Sequence, residues 1–141
     1  MKSTIFIPNA GYFEKDTLNK LTAYCNGHSC VIWGAGNTGL QYKRILNYCG
    51  ISLMYMVDSN FEKQELILSG NIPVHAPSYI KKNHDANTIF LLAVQSSQSK
   101  NVVKEHLLTL GVSDKQIYPY DLSHTLGNFT CFDLFLGTSK I

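Results

Sequence analysis

The fold class turns on Ser29-Cys30-Val31-Ile32-Trp33-Gly34-Ala35-Gly36-Asn37-Thr38-Gly39. The first five residues do not alternate between polar and apolar, which is how a strand buried on both faces reads. Glycines at 34, 36 and 39 then break the run. Beyond them Tyr42, Ile45, Leu46 and Cys49 recur at helical spacing, and Gly50 supplies a stop. A buried strand, a G-x-G-x-x-G turn and a helix in that order is the phosphate-binding start of a doubly wound α/β domain.

Downstream the same alternation continues. Ile51–Val57 is almost wholly apolar and closes on Asp58-Ser59-Asn60, so it reads as a second buried strand. Residues 61–71 read as loop with one turn of helix, and Ile72-Pro73-Val74 as a short extended piece. A short helix is expected around Tyr79–Lys82, and a strong strand over Thr88–Val94. A helix then runs from Lys100 to Leu110, and a last strand covers Gln116-Ile117-Tyr118. Ahead of the first strand, Leu18, Leu21, Tyr24 and Cys25 suggest a helix that Asp16 would cap. Right-handed crossovers make this an α/β, doubly wound parallel sheet of Rossmann-like type, with about five strands in the spatial order 3-2-1-4-5. The expected organisation is one domain over 1–141: an N-terminal helical extension 1–28, a core 29–121 and an apolar tail 122–141.

Composition narrows the function classes. At 141 residues the chain fits one domain, too short for separate cofactor and substrate domains. Twelve Lys and Arg against ten Asp and Glu give a net charge of +2 with no basic cluster, so no nucleic-acid partner is expected. No apolar run is long enough for a signal or a membrane span, and a cytoplasmic location is expected. Cys25, Cys30, Cys49 and Cys131 form no C-x-x-C pair and the five His are dispersed, so no metal site is expected. The apolar tail reads either as packing on this domain or as an interface with another copy or a partner domain.

The candidate ligand site is Gly34, Ala35, Gly36, Asn37, Thr38 and Gly39, with Asp58, Ser59 and Gln95. Gly34 permits the tight turn, Gly36 lets a phosphate approach, and Gly39 lets helix and strand pack closely. The helix start adds N–H donors and a favourable dipole. Asp58, 19 residues beyond Gly39, is placed to reach ribose hydroxyls, and its charge favours NAD over NADP. The same glycines would also serve tight packing without a ligand, and Asp58-Ser59-Asn60 would also serve as a plain turn. Gln95-Ser96-Ser97 falls at the carboxyl edge beside the loop, where it would contact a ligand or cap the next helix.

Catalytic signatures are missing. None of the eight tyrosines has a Lys four residues on, so the Tyr/Lys proton relay of short-chain reductases and sugar epimerases is absent. H-E-x-x-H, G-x-S-x-G and P-loop patterns are also absent. His75, between Pro73 and Pro77, reads as a surface-loop His or as an acid or base near the site. Asp121 and His124 lack a nucleophile with which to form a triad.

Ile32–Gly39, Val57-Asp58-Ser59-Asn60 and Gly70-Asn71-Ile72-Pro73-Val74 resemble the Rossmann-like nucleotide-binding domains of bacterial polysaccharide-biosynthesis sugar acyltransferases and C-methyltransferases. The resemblance implies a nucleotide-sugar ligand, UDP-linked in the acyltransferases, held by Gly34, Gly36, Asn37 and Asp58. The acyltransferases carry a His where this chain has Asn37-Thr38, and their hexapeptide-repeat domain has no counterpart here. Together these readings lead to a module that binds NAD or a nucleotide-sugar in bacterial sugar or surface-polysaccharide metabolism, without a complete catalytic set. The alternative is a small oxidoreductase or sugar-nucleotide-modifying enzyme completed by a partner chain.

Overall fold

The computed structural model describes residues 3–122 and, as backbone alone, 135–138. Strand β1 (Thr4–Ile7) and strand β2 (Gly11–Glu14) form an antiparallel hairpin, followed by helix α1 (Lys15–Cys25). The central alternation follows: β3 (Ser29–Trp33), α2 (Asn37–Tyr48), β4 (Ser52–Val57), β5 (Leu66–Leu68) and β6 (Ile72–His75). Strand β7 (Thr88–Leu92), helix α3 (Ser97–Thr109) and strand β8 (Phe135–Thr138) complete the order. Short 3-10 turns cover Phe61–Lys63, Pro77–Lys82 and Asp114–Gln116.

The main sheet runs β7-β3-β4-β6-β5-β8. Strands β7, β3, β4 and β6 are parallel, and Ile117 adds a parallel bridge beside Phe90 on the outer edge of β7. The expected order 3-2-1-4-5 is therefore present, with the fifth strand reduced to one bridge. At the other edge the sheet continues where a loop was expected. Strand β5 turns back antiparallel on β6, and β8 pairs antiparallel with β5. The reversal is set by Gly70 and Asn71, both at positive φ (78° and 61°), which make a tight β5–β6 turn.

The N-terminal extension is not wholly helical. Its first half is the β1–β2 hairpin, in which Ile7 and Phe13 face the core while Phe6 and Tyr12 meet outside as tilted rings with centroids 4.9 Å apart. Pro8-Asn9-Ala10 turns the chain, with Ala10 N–H donating to Ile7 C=O at 3.0 Å. Helix α1 then starts two residues earlier than a cap at Asp16 implies. Glu14 is its N-cap, and Asp16 sits in the first turn, where its charge suits the helix dipole. The buried Gln41 amide of α2 donates to Ala10 C=O at 2.7 Å and fastens the hairpin to the domain.

Two apolar layers cover the sheet. On one face Cys30, Ile32, Met56, Ile89 and Leu91 pack against α1, α2 and the hairpin. On the other, Val31, Trp33, Tyr55, Phe90 and Leu92 pack against Val103 and Leu107 of α3 and against Ile80. Period-2 alternation along strands buried on both sides assigns neighbouring residues to opposite layers. No helix among the described residues is long and apolar enough to cross a membrane. Leu122, the first residue of the expected tail, is buried, its N–H donating to Tyr42 Oη at 3.4 Å. Residues 123–134 and 139–141, with His124 and Cys131, lie outside the described residues.

Candidate functional site

The glycine loop emerges from the carboxyl end of β3 at the point where the chain order reverses, between β4 on one side and β7 on the other. In open α/β sheets this crevice is where ligands bind. Gly34 has φ +115°, and a Cβ there would lie 2.8 Å from the Ala93 carbonyl oxygen, so a side chain is excluded twice over. Its N–H donates to Val57 C=O at 2.7 Å, and Ala93 N–H donates to Trp33 C=O at 2.8 Å, which sews the three strand ends together. Gly39 is buried, and a Cβ on it would overlap the Gly34 carbonyl and crowd Met56 Cε at 3.1 Å.

Gly36 differs from both. It is exposed, it has ordinary extended backbone (φ −86°, ψ −158°), and a Cβ there would meet no heavy atom within 4 Å. No side chain caps α2 at this residue, so the positive end of the helix dipole opens toward the same space. Packing explains Gly34 and Gly39. It does not explain Gly36.

Asp58 stands at the end of β4 and is half-buried. Its Oδ2 accepts from Ala35 N–H at 2.8 Å and its Oδ1 from Asn60 N–H at 2.7 Å. The carboxylate thus ties the glycine loop to the loop after β4, a role that its spacing from the glycines does not suggest. A carboxylate oxygen has two lone pairs, and one accepted hydrogen bond is seen at each. Ser59 is exposed in the same turn. Across the switch point the Gln95 amide donates to Thr38 Oγ1 at 3.3 Å, which brings these two candidates together. Ser96 does cap α3, accepting from Ser99 N–H at 3.0 Å, and Ser97 is the first residue of that helix.

On the far side of Asp58 lies His75, the last residue of β6, whose C=O accepts from Asp58 N–H at 3.1 Å. Its ring stacks on Tyr79 (centroids 3.6 Å, 13° between planes) and meets the edge of Tyr55 at 5.7 Å. Burial lowers its pKa below the ordinary imidazole range, with Glu65 pulling the other way. A cleft of about 340 Å³ opens here, lined by Glu65, His75, Tyr79 and Lys81 among others. Sequence reasoning reaches only the single His of this assembly, because Glu65, His75 and Tyr79 come from three separate segments. Phe61, 74% exposed just after Asp58, likewise falls in a stretch that reads as loop.

Other groups fall elsewhere. A larger cleft of about 470 Å³, lined by Pro8, Asn9, Arg44 and Tyr48 among others, includes Ile51 and Leu53 at the amino end of β4, opposite the glycine loop. Asp121 pairs with Lys100 on the surface. Cys25 and Cys30 are free thiols in the core with sulfurs 3.6 Å apart. Among the described residues no three His, Cys, Asp or Glu side chains are grouped to hold a metal ion.

Comparison with known proteins agrees with this architecture. The crystal structure of a UDP-D-quinovosamine 4-dehydrogenase from Vibrio fischeri superposes with TM-score 0.49 at 28% identity, over 60% of this chain and 73% of that one. RSP in complex with β-NADH gives TM-score 0.50 at 20% identity, over 80% of this chain and 57% of that one. RSP described as a Rex-family repressor gives 0.52 at 18%, over 82% and 56%. At these identities the RSP structures establish the shared α/β fold, and this chain spans little more than half of each. No curated protein matches the sequence. The family model of the C-methyltransferase C-terminal domain matches residues 7–115, most of the chain, and the protein belongs to that family.

Proposed function

We propose that the chain is a nucleotide-binding module of bacterial sugar or surface-polysaccharide metabolism, working in the cytoplasm. It holds the diphosphate of NAD or of a nucleotide-sugar over Gly36. The observation that carries the reading is the contrast among the three glycines. Two are required by packing, whereas the third leaves open space at an uncapped helix start. A diphosphate fits there because it brings charge to the helix dipole and oxygen acceptors to the N–H groups of the loop. Gly34, Ala35, Asn37, Thr38 and Gly39 shape that cradle. Asp58 and Ser59 face the ribose side, and Gln95 flanks the loop from β7. Membership in a C-methyltransferase domain family supports a sugar-linked role. The chemistry itself belongs to another domain or partner chain, since the described site holds no nucleophile–base pair and no Tyr/Lys relay.

Isothermal titration of the full chain with NAD, NADP, UDP and UDP-glucose tests the proposal. Saturable binding of NAD or of the UDP compounds, lost in Gly36→Val, is the expected result. Absence of binding to all four ligands at millimolar concentration refutes it.

A further inference from the structure

We propose that Cys25 and Cys30 form a reversible disulfide when the chain meets a hydroperoxide, fastening the N-terminal hairpin and α1 to the central strand of the sheet.

Placement is the first argument. Cys25 is the last residue of α1 and Cys30 the second of β3. Between them His28 N–H donates to Cys25 C=O at 2.9 Å across a turn with Gly27 at φ +77°, which folds β3 back against the helix end. The sulfurs stand 3.6 Å apart, so a bond of about 2.05 Å needs them to approach by roughly 1.5 Å. Strand β3 is held on both sides, Cys30 lying opposite Leu53 of β4 and Ile89 of β7. The movement therefore falls on α1, whose end runs into the exposed Asn26-Gly27. Cys49, in the same apolar layer, is engaged with the Thr22 hydroxyl instead.

The two sulfurs also differ in character. The Cys30 S–H donates to Cys25 Sγ. That hydrogen bond lowers the Cys25 pKa, with burial opposing it, and raises the Cys30 pKa, with burial adding to it. Cys25 is thus the sulfur with thiolate character, the form that attacks peroxide. It sits in the last turn of its helix, where fraying admits a molecule scarcely larger than water.

Tyr118 gives an independent sign. Its Oη is buried with no hydrogen-bond partner among the described residues. Burial first, and then the Cys25 thiol, push its pKa up, so it stays a neutral O–H donor. A buried hydroxyl without an acceptor is costly. An oxygen added to Cys25 supplies that acceptor.

The peroxide is the only co-reactant required. The Cys25 thiolate attacks one peroxide oxygen; an S–O bond forms, the O–O bond breaks, and the departing hydroxide takes up the thiol proton as water. The Cys30 sulfur then attacks Cys25; the S–S bond forms, the S–O bond breaks, and the second hydroxide leaves with the Cys30 proton as water. Two thiols lose the two electrons that one peroxide gains. An external thiol reverses the bond by exchange, as suits a transient bond in a reducing compartment.

The test treats the full reduced chain with excess hydrogen peroxide, blocks the remaining thiols with N-ethylmaleimide in denaturant, and maps the peptides by mass spectrometry. The expected result is a Cys25–Cys30 link, two fewer maleimide adducts, and a Tm raised by about 5 °C, the effect of closing a short loop. Dithiothreitol should reverse all three, which separates them from methionine oxidation. Cys49→Ser and Cys131→Ser should form the link as wild type does. Cys30→Ser should stop at a sulfenic acid on Cys25, trapped by dimedone; if that variant fails to fold, the wild-type map alone decides. Tyr118→Phe should keep the reduced Tm yet form the link several-fold more slowly, and oxidation at the wild-type rate removes the tyrosine from the proposal. Native Cys25 and Cys30 that stay reduced under peroxide, a link to Cys49 or Cys131 in their place, or a linked chain no more stable than the reduced one overturns the inference.

Discussion

Gly36 and Gly39 lie three residues apart, at the N-cap and in the first turn of α2, and substitution should separate their roles. A methyl group on Gly39 overlaps the Gly34 carbonyl oxygen, approaches its carbon at 2.7 Å and meets Met56 Cε at 3.1 Å. The oxygen and carbon are backbone atoms that cannot swing aside, so α2 must back away from the end of β3. Overpacking of this kind costs about 3 kcal/mol, the upper part of its usual range, out of a total of about 5–15 kcal/mol. For a domain of this size the Tm of Gly39→Ala should fall by about 10 °C. Gly36→Val adds its side chain to open space on ordinary backbone. The cost is confined to a poorer N-cap, about 1 kcal/mol or less, and a Tm change of about 3 °C. Binding should behave in the opposite way, because the added isopropyl group fills the volume a phosphate would occupy. Thermal melts paired with titration of NAD and UDP-glucose read both quantities. A Gly39→Ala protein as stable as wild type, or a Gly36→Val protein that binds like wild type, refutes the division of roles.

Three further outcomes follow from other contacts. Asp58→Asn replaces one of two acceptors with an amide that faces a backbone N–H, so it should lose about 1–3 kcal/mol of stability, visible as a lower urea midpoint, together with nucleotide affinity. His75 has a depressed pKa from burial, with Glu65, Tyr55, Tyr79 and Lys81 around it. The unfolded chain therefore takes up its proton first. Stability present above pH of about 6.5 is lost as pH falls toward the folded value, so the Tm of His75→Gln should fall less than that of wild type between pH of about 7.5 and 5. Lys100→Ala removes a surface pair whose Asp121 side chain is 59% exposed, and chemical denaturation should show a change below about 1 kcal/mol.

The parallel core was legible because its signals are local. Val31-Ile32-Trp33, the glycine spacing and the apolar runs at Met56-Val57 and Phe90-Leu91 each state their burial within a few residues. The hairpin is carried by Ile5-Phe6-Ile7 and Tyr12-Phe13 around Pro8-Asn9, but a three-residue apolar run ended by a proline is too short to declare itself a strand. Strand β5 is three residues long and β8 lies about seventy residues away, so their pairing is a property of the sheet edge that neither segment announces. The site divides in the same way. Gly34 to Gly39 could be read from spacing, whereas the Asp58 bridge depends on a 23-residue separation closed by the fold. The cleft at His75 depends on a stacking partner in the following turn and on Glu65 from the strand edge, and no motif encodes that meeting.

The Asp58 bridge also bears on how a ligand arrives. A glycine-rich turn left to itself samples many backbone states, and freezing it on binding would cost roughly 1–2 kcal/mol per residue. With Ala35 N–H already held by Oδ2 and Gly34 N–H held by Val57, much of that ordering is completed during folding. Association should then be fast, with little change in loop protection from hydrogen exchange when nucleotide is added. The aspartate is in this sense a preorganising strut, holding the loop through Ala35 N–H. It keeps the cradle open before anything occupies it.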